Sequence, residues 1–236
     1  MRFVFRFRWI PFVAAVVVAA IGIALGHWQT RRAHEKEAID VSIQERGAMP
    51  VLDLNAALPE ANAEFRRATV RGRFMANWPV YLDNRPYDGA AGFYVLMPFR
   101  IADTNEHMLV ARGWVQRNPI DRAKLPSIPV PEGTVQLQGV LRRDAGHVME
   151  LGASGPLQPG VIVQNADAAS VAQATGLKMV PLMLEQTSDT QDGLVRDWPT
   201  PSAGVDRHRG YAFQWYGLAA TALIFFVVTG FRRGTS

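Results

Sequence analysis

Two apolar stretches of 22 residues, 9–30 and 210–231, lie near the two ends of this 236-residue chain. Neither stretch contains Lys, Arg, Asp or Glu. About 20 apolar residues in a helix cross the hydrocarbon core of a bilayer, which is about 30 Å thick. Both stretches are therefore predicted to be transmembrane helices. A cleaved signal peptide is the alternative for the first stretch, because arginines precede it and small residues follow them.

The segment between the two spans, residues 31–209, is long enough for one domain of ordinary size. It holds all 21 acidic residues and 20 of the 25 basic residues, so its formal charge is −1. The remaining five basic residues are arginines on the two tails, residues 1–8 and 232–236. A central domain without excess positive charge disfavours a nucleic-acid-binding function.

The tails also bear on topology. Two spans place both tails on the same side of the membrane, and short arginine-rich tails favour the cytoplasmic side. Long loops are translocated largely regardless of their charge. We therefore expect both termini in the cytoplasm and the central domain on the outer face.

Short segments rich in β-branched and aromatic residues fill most of the central domain, after a polar helical extension that ends near Gly47. Six of them are predicted strands: residues 66–74, 80–83, 93–99, 108–115, 134–141 and 180–186. Residues 166–175 predict a helix with Asp167 as N-cap and Gly176 as C-cap. The expected fold is an α+β membrane protein in which two transmembrane helices flank a mainly antiparallel β domain, a sheet or small barrel, with one or two helices.

Sequence motifs of common catalytic sites are missing. The chain has no H-E-x-x-H, no G-x-S-x-G, no P-loop and no dinucleotide fingerprint, and residues 152–155 (GASG) lack the spacing of a nucleophile elbow. It also has no cysteine, and therefore no disulfide and no thiolate metal ligand. We predict that the protein is not an enzyme, with no catalytic residues, and an anchored hydrolase is the least favoured alternative.

A candidate haem site lies at the start of the second span. If the helix begins near His208, then Tyr211 and Trp215 follow three and seven positions later and lie on the same face of the helix as His208. A neutral imidazole above two aromatic rings suits haem, because the imidazole can ligate iron and the rings can pack against the porphyrin. Arginines at the water boundary, such as Arg31, Arg32 or Arg209, can pair with the propionates. The alternative is that these aromatic residues only anchor the helix at the membrane interface.

A second candidate site combines arginines with aromatic residues in the central domain. Arg85 lies within residues 84–87 (NRPY), and Arg112 and Trp114 lie within residues 112–114 (RGW). The cluster of Arg112 and Trp114 looks exposed, and these arginines could hold a carboxylate or a partner protein. In the structural alternative, residues 84–92 form a turn and Arg112 pairs with a carboxylate or extends its stem along apolar surface.

Four blocks of sequence stand out in a fixed order: GHWQTRR at 26–32, YVLMPF at 94–99, LVARGWV at 109–115 and HRGYAFQWYGL at 208–218. They resemble the G-x-W-Q-x-R-R, Y-V-x-x-P-F, L-V-x-R-G-[FW]-V and H-x-x-Y-x-x-x-W-[FY] signatures of the surfeit locus protein 1 family. Members of this family are assembly factors of cytochrome c oxidase. The similarity covers almost the whole chain and includes the family's two-span layout.

This resemblance implies a multi-pass protein of the bacterial inner membrane, or its mitochondrial counterpart, with a periplasmic central domain. It implies a chaperone that helps deliver haem a to the oxidase catalytic subunit, with that subunit and the haem a synthesis machinery as partners. The family's haem-binding residues fall here on His208, as the iron ligand, and Trp215. Trp28, Gln29 and Arg31 of the first block join the candidate cofactor-binding residues. The alternative is a membrane scaffold that binds no haem and stabilises an oxidase assembly intermediate through its extracytoplasmic domain.

Overall fold

The computed structural model describes residues 3–121, 124–149 and 155–233. The chain divides into two compact units, one made of Met1–Val41 with Thr200–Ser236 and the other of Ser42–Pro199. Three parts of the predictions lie outside the described residues: the tail residues 1–2, which include Arg2, the tail residues 234–236, and residues 152–154 of the rejected nucleophile-elbow motif.

Two long helices dominate the first unit. Helix α1 covers Trp9–Ala48, and a second long helix, Val205–Gly230, ends the helical part of the chain. Both are long and apolar enough to cross a membrane. The prediction of two apolar helices near the chain ends is confirmed, and the polar extension continues α1. The second long helix begins five residues before the predicted span, directly after Gly204, which is in the left-handed conformation. The negative charge of Asp206 in the first turn interacts favourably with the positive end of the helix dipole.

Small side chains form the seam between these two helices. The buried residues of α1 recur at intervals of four and three positions: Ala15, Ala19, Gly22, Gly26, Gln29 and Ala33. An average period near 3.5 keeps one side of a helix against a partner helix. A Cβ atom on Gly22 would lie 2.8 Å from the backbone oxygen of Trp215 and 3.0 Å from Cβ of Ala219. The two backbones therefore approach closely, as small residues permit in membranes.

The two tails pair with each other beside the helix ends. Strand β1 (Phe3–Phe5) runs antiparallel to a strand at Phe231–Arg233, with Phe5 opposite Phe231. The amide of Arg6 extends the ladder by donating to the carbonyl of Gly230 at 2.9 Å. This two-stranded ribbon, Phe3–Phe5 with Phe231–Arg233, was not predicted from the sequence.

The second unit is built on an eight-stranded sheet. Its strands are β2 (Leu52–Asp53), β3 (Arg67–Phe74), β4 (Val80–Leu82), β5 (Gly92–Ile101), β6 (His107–Gln116), β7 (Val135–Arg142), β8 (Val161–Val163) and β9 (Met179–Gln186). Their order is β2-β3-β7-β9-β6-β5-β4-β8, and a further β3–β5 pairing closes five strands into a barrel. Pairs β2–β3, β4–β8 and β6–β9 are parallel, and the other pairings of this sheet are antiparallel.

This architecture confirms the predicted fold class. All six predicted strands are present, with bounds that differ by at most two residues, and the β domain takes the form of a small barrel. The barrel interior is filled by alternating apolar side chains such as Val70, Phe99, Val110, Leu137 and Leu184.

A short helix covers the outside of the barrel. Helix α2 (Ala168–Thr175) begins at a capping box between Asp167 and Ser170 and ends at Gly176, whose φ is 71°. Both predicted caps are confirmed. The fully buried Val171 belongs to the same apolar layer as Met183 of β9. The terminal elements Val205–Gly230 and Phe231–Arg233 are named α3 and β10 below.

Candidate functional site

His208 contacts α1 from the N-terminal part of α3. Its Nδ1 atom lies 2.7 Å from Oε1 of Gln29, and Gln29 is only 8% exposed within the helix seam. An amide oxygen only accepts hydrogen bonds, so Nδ1 carries the proton and donates it. In the neutral form of an imidazole with this tautomer, the other ring nitrogen, Nε2, carries no proton and can ligate a metal. The structure thus brings together two residues that the sequence analysis named separately.

Tyr216 forms the neighbouring layer of polar contacts. Its hydroxyl lies 3.3 Å from Nδ1 of His27 and 3.4 Å from Oγ1 of Thr30. Its ring meets the His27 ring edge to face, with centroids 5.8 Å apart. Gly26 makes room for this ring, because a Cβ atom there would overlap it. Tyr216 was not among the predicted site residues, although the small residues at heptad spacing on α1 mark the seam that it joins.

The other predicted cofactor-binding residues differ in how exposed their side chains are. Trp215 is half-buried, whereas Tyr211 and Trp28 are each 46% exposed and Arg31 is exposed. On the continuous helix α3, Tyr211 and Trp215 follow His208 by three and seven positions, so they share one side of the helix. Exposed aromatic surface therefore lies beside the half-buried imidazole.

Two arginines near His208 and Gln29 form ion pairs with glutamates. Arg209 pairs with Glu37 at 2.7 Å, and Arg32 pairs with Glu35 at 3.0 Å. Two of the arginines that were expected to be available for propionates thus already have carboxylate partners. Arg31 remains the exposed candidate for that role.

These residues fit a haem ligand better than a bare metal ion. Within residues 3–121, 124–149 and 155–233, no group of three or more His, Cys, Asp or Glu side chains is placed to hold a metal ion. Haem iron needs only one or two protein ligands, because the porphyrin supplies the others. The single oriented imidazole of His208, with aromatic side chains on the same helix, meets that requirement.

Arg112, a predicted partner-binding residue, is fully buried. Its Nη2 atom donates to Oδ2 of Asp192 and to the carbonyl of Pro129, each at 2.7 Å, and its guanidinium lies 4.8 Å from the centre of the Phe74 ring. The expectation that Arg112 is exposed was wrong, because β6 is an interior strand of the sheet and the loops between β6 and β7 and after β9 supply these partners. The structural alternative, pairing with a carboxylate, is confirmed.

The charges of this buried group are coupled. Burial lowers the pKa of Arg112, and the neighbouring carboxylate of Asp192 opposes that shift. For Asp192, burial alone raises the pKa, but hydrogen bonds from Arg196, Thr190 and the Leu194 amide hold it below its usual value. Asp192 is therefore the ionised partner of two arginines.

Arg85 and Trp114 are also buried, each 8% exposed. Nη2 of Arg85 donates to the carbonyl oxygens of Gly146 at 2.7 Å and Gln164 at 3.2 Å, and Nε1 of Trp114 donates to the carbonyl of Arg85 at 2.7 Å. Burial lowers the pKa of Arg85. The expected exposure of Trp114 was wrong, since both side chains tie loops to the sheet. A partner-binding role for Arg85, Arg112 and Trp114 stays a prediction, and these side chains would exert it through the surface that they support.

Comparison with known proteins identifies the family. The profile described as "SURF1 family" matches residues 16–220, which is most of the chain. The chain belongs to the SURF1 family. The predicted family is thereby confirmed, and the matched range includes both Gln29 and His208.

Relatives of this SURF1 family member occur in animals, bacteria and fungi. The SURF1-like protein of Drosophila melanogaster is 25% identical over 235 residues, covering 89% of this chain and 75% of its own. The SURF1-like protein of Rickettsia bellii is 24% identical over 235 residues, covering 95% and 91%. A protein of Saccharomyces cerevisiae named "Cytochrome oxidase assembly protein SHY1" is 26% identical over 117 residues, covering 48% and 30%.

Proposed function

We propose that this SURF1 family protein is an assembly factor for cytochrome oxidase, anchored in a bacterial inner membrane with its barrel domain in the periplasm. Family membership and the yeast relative named as an oxidase assembly protein support the assembly role. Two apolar helices support the membrane anchor, and the arginine-rich tails support cytoplasmic termini. The proposed partners are the oxidase catalytic subunit and the machinery that makes haem a.

We also propose that His208 holds haem a while it is delivered to the catalytic subunit. The observation that carries this proposal is the 2.7 Å contact between Nδ1 of His208 and Oε1 of Gln29. A hydrogen bond to the second nitrogen of a ligating histidine fixes its tautomer and ring orientation and makes the ligand more basic. In this proposal, Gln29 is buried in the helix seam, accepts the hydrogen bond from Nδ1 of His208 and so leaves Nε2 as the iron ligand.

The remaining residues bind and orient the group. Trp215 and Tyr211 offer ring surface on the same helix, and Trp28 offers it on α1. Arg31 at the outer boundary pairs with a carboxylate through charge-assisted hydrogen bonds. Bound haem a supplies an iron centre that takes a nitrogen ligand and gives a visible absorbance spectrum. The small-residue seam keeps water away from the buried Gln29 side of the imidazole.

The proposed haem site is tested by spectroscopy of the full chain. The protein is expressed together with haem a synthesis, purified in mild detergent, and its haem content is measured from the visible spectrum. The wild-type protein is expected to carry haem, and His208→Ala is expected to lose most of it. His34→Ala is the matched control, because His34 is an exposed histidine elsewhere on α1. A haem-free wild type, or a His208→Ala variant with unchanged spectrum, contradicts the proposal.

The scaffold alternative gives a different result in cells. A scaffold that binds no haem supports oxidase assembly equally well with wild-type protein and with His208→Ala. Loss of oxidase activity in His208→Ala cells, with normal amounts of the variant in the membrane, favours the haem-binding function. Retained activity favours the scaffold.

A further inference from the structure

The ribbon made by the two tails carries a cluster of aromatic rings. Neighbouring ring centroids are 5.0–6.1 Å apart. The cluster consists of Phe5, Phe7, Trp9, Phe12, Phe226 and Phe231. Several of these rings are open to the surroundings, above all Trp9, which is 71% exposed. Exposed aromatic rings at the end of an apolar helix are typical of the interface between hydrocarbon and head groups.

The ribbon also holds the tails in a defined position. Phe5 lies opposite Phe231 in the ladder, and the amide of Arg6 donates to the carbonyl of Gly230. Gly230 is required for this arrangement, because a Cβ atom there would overlap the Phe5 ring. The ends of α1 and α3 are thereby joined by backbone hydrogen bonds as well as by ring contacts.

Four of the tail arginines lie in the strands of this ribbon or shortly after them. Arg6 and Arg8 are exposed and follow β1 directly, while Arg232 and Arg233 belong to β10, where the ladder sets them opposite Val4 and Phe3. No acidic residue occurs in residues 1–8 or 231–236 of the sequence. The tails therefore carry arginines and no acidic residue, next to rings that mark the head-group depth.

We propose that the paired tails form a binding surface for anionic phospholipid head groups on the cytoplasmic side of the membrane. Guanidinium groups bind phosphate through paired hydrogen bonds, and an anionic leaflet attracts basic residues near its surface. Because the ladder already orders the tails, binding loses less conformational freedom than it does for flexible tails. This surface is separate from the residues proposed to hold haem a, so it adds a lipid requirement to the protein.

The proposal is tested on the full chain in detergent by native mass spectrometry. The protein is equilibrated with equal amounts of phosphatidylglycerol and phosphatidylcholine, and the ratio of the two lipids that remain bound is measured. Wild type is expected to prefer phosphatidylglycerol. Each basic residue near an anionic surface changes the affinity about fivefold, so Arg6→Gln with Arg8→Gln is expected to reduce the preference more than tenfold.

Two further variants distinguish a built surface from general charge. Arg32→Gln with Arg207→Gln removes the same charge at the opposite ends of the two spans and is expected to keep the preference. Gly230→Val leaves every charge in place but disrupts the ribbon, and it is expected to lose at least half of the preference. Equal effects of the two double variants, or an unchanged preference in Gly230→Val, overturn the proposal. Full competition by free inorganic phosphate also overturns it.

Discussion

Arg112 and Asp192 form an ion pair of 2.7 Å in which neither side chain is exposed. Arg196 approaches the same carboxylate at 2.6 Å, and Arg112 also donates to the carbonyl of Pro129. Asp192 follows β9 and Pro129 precedes β7, so this one guanidinium joins β6 to two long loops. The ion pair with Asp192 and the hydrogen bond to Pro129 therefore help to hold these two loops against the sheet.

Asp192→Asn is expected to destabilise the protein by about 3–5 kcal/mol, because it leaves the buried guanidinium of Arg112 without its counter-charge. The free energy of unfolding is measured by denaturant titration of the purified chain, followed by tryptophan fluorescence. Asp103→Asn, at an exposed position, is the matched control and is expected to cost less than about 0.5 kcal/mol. Equal losses in the two variants contradict the assigned role of the ion pair.

Glu185 predicts a dependence of stability on pH. This side chain is buried on β9, and burial raises its pKa to about 7, although Arg142 at 3.2 Å opposes the shift. A carboxyl group with a raised pKa binds its proton more tightly in the folded state than in the unfolded state. Its contribution to stability is therefore complete below about pH 4.5 and is lost as the pH rises to about 7.

The measurement compares wild type with Glu185→Gln, which has no proton to release. Between pH 4.5 and pH 7, wild type is expected to lose up to about 3 kcal/mol of unfolding free energy relative to the variant. Denaturant titrations at several pH values provide the comparison. Parallel pH profiles would show that Glu185 keeps an ordinary pKa.

Gly22→Ala is expected to separate α1 from α3, since the new methyl group meets the backbone oxygen of Trp215, which cannot rotate away. Overpacking of this kind costs about 1–3 kcal/mol. Gly217→Ala is the control on the partner helix, because a Cβ atom there meets nothing within 4 Å. Thermal unfolding in detergent is expected to show a lower midpoint for Gly22→Ala alone, and identical midpoints would refute the close approach.

Gln29→Leu is expected to weaken haem binding about 10–100-fold, as loss of the partner that orients a ligating histidine does in metal sites. Gln29→Glu keeps an oxygen acceptor for Nδ1 and is expected to restore much of the haem content. Haem per protein, measured from the visible spectrum at equal protein concentration, separates the two variants. If leucine and glutamate behave alike, Gln29 does not position His208.

Local sequence signals predicted the elements that they encode directly. Asp167 and Gly176 marked the ends of α2, and alternation along residues 134–141 marked β7. Strands β2 and β8 were missed; each is short and pairs in parallel at an edge of the sheet, which local alternation does not indicate. The β domain was expected as a sheet or a barrel, and only the β3–β5 pairing decides for the barrel.

Contacts between distant residues could not be predicted in the same way. The burial of Arg112 depends on Asp192, 80 residues away, so nothing in its own strand identifies the carboxylate that it pairs with. Gln29 and His208 were both named as candidates, but they are 179 residues apart and nothing in either neighbourhood indicates the other. The small residues at heptad spacing on α1 are a local sign of a partner helix, and they did not enter the prediction.

The Gln29 and His208 contact also has a consequence for biosynthesis. A ribosome adds about 5–20 residues per second, so Gln29 waits roughly 10–40 s for its partner, which emerges 179 residues later. A nascent chain that stops before residue 208 therefore never completes the contact. The contact therefore forms only after the central domain and the start of α3 have been synthesised.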